Sequence, residues 1–473
     1  MDSRISARAL ASALGGWRTR EPAYEALADG IRLLCLDNRL PPRTTLPAER
    51  ELAAILQLSR STVAAAYGSL RSTGHIASLR GSGSVTLPLR RHDPALVEPG
   101  VGAIDLQQAS PSAWPGLAGV MSEAASGAAA LVARVGYDVV GNAGLRAAVA
   151  ERYARRGIDT RAENILITTG AQSAIHLLAA VLLGRGDRVL VETPTYPHAA
   201  EALRRAGARL VGVPVTTDDG WDLDRAQQAF ARTLPVLAYL MPDFQNPTGR
   251  SMSPLERATI RSAADGAGTV IVVDETTSEL DIDRPPMGAG DPLNDRRIVR
   301  IGSLGKTVWG GLRVGWIRAD AELIRRLAAA RPAHELGTPE FEQAVAVSLL
   351  ERFEDIVMQR AQLLGAGRDT LVTALSAALP QWRVPEVHGG VSLWTELDAP
   401  LSPALVMDVR TRGLLLSAGP RFSVDGGHER HLRIPFTAPG GDLVRAVEIL
   451  AEAWPRVRDS APTSVHRQME PVI

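Results

Sequence analysis

The chain of 473 residues contains one lysine, Lys306, and arginine supplies the remainder of its 52 Lys and Arg residues. A lysine amine loses its proton readily when buried and attacks carbonyl carbon, whereas a guanidinium effectively never deprotonates. Lys306 stands in Ser303-Leu304-Gly305-Lys306-Thr307, followed by Arg313. Four other segments carry groups that could serve such an amine. Thr168-Thr169-Gly170-Ala171-Gln172 leads from a strand pattern into a helix pattern, where free N–H groups favour a phosphate. Glu192-Thr193-Pro194-Thr195-Tyr196-Pro197 brings an aromatic ring, Asn246-Pro247-Thr248-Gly249 an amide in a rigid turn, and Val272-Val273-Asp274 a carboxylate at the end of a buried strand. Singly, each is explained by an ordinary helix start, turn or strand-end cap. Their combination, in this order, goes beyond chance.

The elements that must position these groups follow from periodicity. Continuous apolar runs at 165–168, 188–191, 209–213, 236–240, 270–273, 298–301 and 314–317 suit buried strands, with helical patterns between most of them, such as 173–183 and 197–206. Strands alternating with helices predict an α/β domain over 104–455, with a mainly parallel sheet covered on both faces and function on the strand-end loops. Residues 88–103 are proline-rich and aperiodic, hence a linker, and 456–473 form a polar tail. The length calls for more than one core. The single Cys35 excludes an internal disulfide and a cysteine-built zinc site. No apolar run is long enough to span a membrane and no secretory leader is evident, so the expected location is the cytoplasm, with no membrane partner. His428 and His431 stand in a glycine-rich stretch without helical spacing, and no metal site is expected there.

Charge is uneven. Residues 1–92 hold 13 arginines against 7 acids, which leaves the rest of this neutral chain acidic. A basic head on an acidic body suits nucleic acid. Apolar residues at Ala23, Tyr24, Leu27, Ile31, Leu34 and Cys35 predict a helix stopped by Asn38 and Pro41-Pro42. Leu46-Pro47-Ala48-Glu49-Arg50-Glu51-Leu52 opens a second helix, with Pro47 suited to its first turn. Ser59 caps a third, closed by Gly74. Two short strands follow, joined through Arg80-Gly81-Ser82-Gly83. This is the pattern of a winged helix-turn-helix. Arg60, Ser61 and Thr62 begin the recognition helix and can reach base edges. Arg50 and Arg80 can take phosphates, and Gly81 and Gly83 let the backbone approach DNA.

Over residues 20–87 this ordered set resembles the DNA-binding domain of GntR-type transcription regulators. Arg43 replaces the glycine usual before Leu-Pro, and Ala64-Ala65 replace a common Arg-Glu pair. Residues 104–455 resemble a fold-type I, class I/II aminotransferase domain, with a small C-terminal α/β subdomain, that binds pyridoxal 5′-phosphate. The whole chain resembles the MocR subfamily of GntR regulators. The resemblance implies that Lys306 forms an aldimine with the cofactor aldehyde and that Asp274 holds the pyridine N–H. It implies that Asn246 donates to the phenolic oxygen and Tyr196 stacks on the ring. Gly170, Ala171, Gln172, Ser303 and Arg313 would hold the phosphate, and Tyr137 would reach the partner subunit's phosphate in a head-to-tail homodimer. Arg433, in His431-Leu432-Arg433-Ile434-Pro435, would grip an effector or substrate α-carboxylate. Two departures stand out: Thr276 and Thr277 occupy positions where a tyrosine is frequent, and Gly305 precedes the lysine where a hydroxyl residue is frequent.

The function expected from this resemblance is a cofactor-dependent regulator that binds a double-stranded DNA operator. It would sense an amine or amino acid as an external aldimine. The alternative is an active aminotransferase with an appended DNA-binding head; a third reading makes the cofactor itself the signal.

Overall fold

The computed structural model describes residues 3–18, 22–79, 83–88, 102–133, 135–285 and 291–459. Arg80, Gly81, nearly all of the expected linker and the tail beyond 459 lie outside the described residues.

The head begins with β1 (Ser3–Arg4) and α1 (Ala7–Leu14), then α2 (Ala23–Leu36), β2 (Thr44–Thr45), α3 (Glu49–Leu56), α4 (Arg60–Ser72), β3 (Ile76–Leu79) and β4 (Gly83–Thr86). Its sheet runs β1-β2-β4-β3. Ser59 caps α4 by accepting from Thr62 N at 3.0 Å, a contact worth about 1 kcal/mol. Gly74, with φ +75°, follows the end of α4 as expected. Pro47 lies outside α3, whose N-cap is Ala48; the Pro47 carbonyl instead accepts from Tyr67 Oη at 3.0 Å, tying the turn to α4. Leu10, Leu14 and Trp17 join Leu27, Ile31, Leu34, Cys35, Val63 and Leu70 in one core. The head therefore extends upstream of residue 20, because α1 packs an apolar face that an 8-residue helix alone cannot keep stable.

In the body, β5 (Ile104–Asp105), α5 (Leu117–Ser126), α6 (Ala128–Val132) and α7 (Ala143–Arg155) lead to β6 (Ile165–Thr168) and α8 (Ala171–Leu182). Then follow β7 (Arg188–Thr193), α9 (Pro197–Arg205), β8 (Arg209–Thr216), β9 (Gly220–Trp221), α10 (Leu223–Thr233), β10 (Leu237–Leu240), α11 (Pro254–Ala267), β11 (Val270–Asp274), β12 (Val299–Ser303) and β13 (Gly315–Arg318). The eight-stranded sheet has the order β6-β13-β12-β11-β10-β7-β8-β9. β13 is antiparallel to both neighbours, and β9 to β8; the other pairings are parallel. Because β13 runs against both flanking strands, β6, β7, β10, β11 and β12 all end at one edge of the sheet. The loops carrying Gly170, Tyr196, Asn246, Asp274 and Lys306 follow those strands directly, so one edge collects them.

The chain continues through α12 (Ala321–Ala330), α13 (Glu340–Glu351) and the long α14 (Phe353–Ala378) into a smaller C-terminal part. This comprises β14 (Ser392–Glu396), α15 (Ser402–Arg410), β15 (Leu414–Leu415), β16 (Ser417–Ala418), β17 (His431–Pro435) and α16 (Gly440–Asp459). β14, β17 and β16 form an antiparallel sheet, and β15 pairs with β5. Leu33 of α2 belongs to the core of this C-terminal part, so the head is seated on it. His431 begins β17 rather than lying in a loop, and its ring stacks on Trp394 with centroids 5.0 Å apart. Among the described residues no helix is long and apolar enough to cross a membrane.

Candidate functional site

Asp274 closes β11 and is almost wholly buried. Tyr239 Oη, from β10, donates to its Oδ2 at 2.5 Å, and Thr276 N donates to Oδ1 at 2.9 Å. Burial raises the Asp274 pKa, and these donors oppose that rise by favouring the carboxylate. Tyr239 was hidden to sequence reading inside an apolar strand. Thr276 and Thr277, which replace the frequent tyrosine, do other work: Thr277 Oγ1 donates to Asp243 O at 2.9 Å and pins the Asn246 loop.

Lys306 follows β12, and its Nζ donates to Ala109 O at 2.5 Å. Its pKa falls to about 8, first through burial, then through the positive charge of Arg433; Asp274 opposes the fall. A useful fraction of neutral amine thus exists near neutral pH. The loop is held from behind by Arg360 of α14, whose guanidinium donates to the carbonyls of Thr307, Val308 and Ser112.

The helix-start end is built by Gly170, Ala171, Gln172, Ser303 and Arg313. Gly170 has φ +84°, a backbone conformation that favours glycine, and Arg313 Nη2 packs where a Cβ would stand. Arg313 Nη2 donates to Thr169 O at 2.9 Å, and Gly305 N donates to Ser303 Oγ at 3.0 Å. Ala171 and Gln172 open α8 with their N–H groups toward the same space. Gln172 Nε2 donates to His198 O at 3.1 Å, and Tyr196 Oη lies 3.1 Å from His198 Nδ1.

At the other end Arg433, on β17, is buried, and its guanidinium lies over Phe422 at 4.8 Å. Its Nη2 donates to Gln107 O at 2.5 Å. Burial lowers its pKa to about 10, still far above neutrality. The segment Gln107-Gln108-Ala109 thus touches both Arg433 and Lys306, a role with no motif to announce it.

A single cavity of about 520 Å³ joins these groups. Lys306, Asp274, Asn246, Tyr196, Ala171, Gln172, Ser303, Arg313 and Arg433 all line it. Three buried polar atoms of residues lining the cavity have no partner among the described residues: Asn246 Oδ1, Gln172 Oε1 and Arg433 Nε. Unpaired buried polar groups are costly and point to a missing ligand. An anion cradle at one end, an amine, amide and carboxylate in the middle and a free guanidinium edge at the other fit a phosphorylated pyridine aldehyde with an amino acid beside it. Tyr137 is not brought to this cavity: it is 73% exposed, as are Val132 and Val135 nearby on the chain at 81% and 88%.

In the head, Arg60, Ser61 and Thr62 form the first turn of α4, with Arg60 and Ser61 exposed and Thr62 half-buried. Arg60 Nε lies 3.9 Å from Glu49 Oε2, and the Arg60 side chain is 77% exposed. Arg50 is exposed on α3, and Gly83 opens β4 with φ +83°. Arg50, Arg60 and Ser61 thus face solvent, while the Ser61 and Thr62 hydroxyls lie 2.8 and 2.7 Å from Ser59 Oγ.

Comparison with known proteins gives two family matches: aminotransferase class I and II over residues 121–450, and bacterial regulatory proteins of the gntR family over 23–85. The chain is 32% identical over 304 residues to 2-aminoadipate transaminase of Thermus thermophilus, covering 63% of this chain and 75% of that protein. It is 26% identical over 446 residues to the uncharacterized HTH-type transcriptional regulator YdfD of Bacillus subtilis, covering 86% and 91%. Among solved structures, the α-aminoadipate aminotransferase LysN of Thermus thermophilus, complexed with N-(5′-phosphopyridoxyl)-L-leucine, matches with a TM-score of 0.70 and 27% identity. That match covers 78% of this chain and 96% of LysN.

Proposed function

Because the chain belongs to the class I and II aminotransferase family and carries a gntR-family DNA-binding head, we propose that it is a MocR-type transcription regulator that senses an amine or amino acid. Its cofactor is pyridoxal 5′-phosphate, which supplies an electrophilic carbonyl carbon and an electron-accepting ring. Lys306 would hold the cofactor at its carbonyl carbon, within reach of an effector amine in the same cavity. Near its pKa of about 8, Nζ can also hold or release a proton at the reacting carbon. Asp274, whose carboxylate form Tyr239 and Thr276 favour against the effect of burial, would hold the ring-nitrogen proton. Asn246 would donate its amide to the cofactor's phenolic oxygen, and Tyr196 would cover its ring. Gly170, Ala171, Gln172, Ser303 and Arg313 hold the phosphate, and Arg433 takes the effector carboxylate.

The observation that carries this reading is the single cavity in which Lys306, Asp274 and Arg433 meet. Exposure of Tyr137 supports a homodimer, head-to-tail, in which it serves the partner's phosphate end. In the head, Arg60, Ser61 and Thr62 would face the major groove of a double-stranded operator, Arg50 and Arg80 would take phosphates, and Gly81 and Gly83 would let the backbone approach DNA. Effector binding changes DNA occupancy only insofar as it favours one arrangement of head and body.

An absorbance titration with pyridoxal phosphate, followed by amines and amino acids, tests the reading. A stable band that shifts with one amine, without keto acid accumulating, is expected. Sustained keto-acid production would favour the second reading, an aminotransferase with an attached head. Retention of both Lys306 and a buried Arg433 keeps that reading open.

A further inference from the structure

The cavity that holds Lys306 and Arg433 is lined on one side by the head: Leu36, Asp37 and Asn38, at the end of α2, share it with Gln108, His198 and Arg421 of the body. Asp37 is 9% exposed. It caps α2 through its backbone N–H, which donates to Leu33 O and Cys35 O. Its carboxylate makes no hydrogen bond among the described residues; burial raises its pKa, opposed by the charges of Arg421, Arg39 and Arg410, while Glu201 adds to the rise. Arg421 is already committed, with Nη1 2.7 Å from Glu201 Oε1. A carboxylate that accepts no hydrogen bond among the described residues, on the wall of a ligand cavity, can take a donor from the ligand.

We propose that the DNA-binding head completes the effector site, with Asp37 as the acceptor for a hydrogen-bond donor at the far end of the effector side chain. This rests on the functional reading above, in which Lys306 and Arg433 take the effector's amine and carboxylate. The favoured ligand class is then an amino acid with a distal ammonium or other strong donor, rather than a distal carboxylate or an apolar end. Asn38, held at φ +56°, lines the same wall and adds a neutral polar surface beside it. The arrangement gives the effector a direct hold on the head. A ligand bridging Arg433 on β17 and Asp37 on α2 favours the seated head, which is the differential contact that coupling requires.

Three amino acids of similar length separate the possibilities: L-ornithine with a distal ammonium, L-norvaline with an apolar end and L-glutamate with a distal carboxylate. Full-length protein loaded with pyridoxal phosphate is titrated with each, and two readouts are taken: the absorbance change and amide hydrogen exchange of residues 31–40. L-Ornithine should bind about tenfold or more tightly than the other two, as one charge-assisted hydrogen bond allows, and should slow exchange in 31–40. Asp37→Asn should remove the preference while leaving L-norvaline within about twofold, since no donor contact is lost with that ligand. Asp37→Glu, which keeps the charge, should retain the preference for L-ornithine. Equal affinities in the native protein, or a preference that survives Asp37→Asn, would overturn the proposal. If L-ornithine slows exchange in 31–40 without any absorbance change, the contact at Asp37 stands and the covalent role of Lys306 falls. If neither readout responds to L-ornithine, both fall.

Discussion

Tyr239 Oη donates to Asp274 Oδ2 at 2.5 Å across the adjacent parallel strands β10 and β11, beneath the cavity floor. Both side chains are buried, and the bond favours the carboxylate against the rise in pKa that burial causes. Tyr239→Phe removes the donor and keeps the ring. Affinity for pyridoxal phosphate should fall about 10- to 100-fold, corresponding to a charge-assisted hydrogen bond of about 1.5–3 kcal/mol. Fluorescence titration measures it, with circular dichroism to show that the fold is kept. Unchanged affinity would mean that Asp274 needs no support from β10.

Lys306 gives a pH signature with a definite sign. Its pKa is depressed to about 8, so the neutral nucleophile is in the minority below that pH and dominates above it. The rate at which added cofactor develops its absorbance band should rise through pH 8 and level off beyond it, not continue rising toward the ordinary lysine range. Stopped-flow traces across this window provide the check. Lys306→Ala should abolish the covalent band altogether, since the chain has no other lysine.

Much of this site was legible in the sequence because it consists of strand-end loops. Gly170, Tyr196, Asn246, Asp274 and Lys306 each carry a local signature, and the apolar strands before them fix their common edge. Tyr239 was not legible, because an aromatic residue inside a buried strand serves packing as well as it serves a carboxylate. Nor were Gln107 and Ala109, which act through backbone carbonyls and so leave no side-chain signal. Asp37 is an ordinary helix end by sequence; only the seating of α2 on the C-terminal part brings it to the cavity. The same limit hid α1, whose place in the head depends on the core formed by Leu10, Leu14 and Trp17.

Arg433 should discriminate ligands by their carboxylate. Arg433→Ala removes the guanidinium whose Nε is buried without a partner among the described residues. Amino acids should then bind about 10- to 100-fold more weakly, while the corresponding decarboxylated amines should change by no more than about threefold. Paired spectral titrations of one amino acid and its amine decide this. Equal losses for both would place the carboxylate contact elsewhere.

On the head, Arg60 is exposed and held only loosely by Glu49, so it is available to DNA. Arg60→Ala should weaken cognate-operator binding about 5- to 100-fold if it reads a base edge, with a marked loss of discrimination at one position. If it holds a phosphate, the loss should extend to all sequences and the salt dependence should fall by about one counterion. Binding isotherms on cognate and scrambled duplexes at several salt concentrations separate these outcomes. Cofactor absorbance should be unchanged in either case.

Tyr137 offers a test of the dimer through complementation. Its side chain is largely exposed and lies outside the cavity of its own subunit, together with exposed Val132 and Val135. If its hydroxyl reaches the partner's phosphate end, Tyr137→Phe should lower cofactor affinity about 10- to 100-fold, as loss of one charge-assisted hydrogen bond implies. Mixed dimers of Tyr137→Phe and Lys306→Ala chains separate the two possible geometries. The one reactive lysine of such a dimer lies in the chain that lacks the Tyr137 hydroxyl. A contribution from the partner restores full affinity at that lysine, whereas a contribution within one chain leaves it impaired. Titrating the purified mixed dimer should therefore give the native affinity at half the covalent capacity.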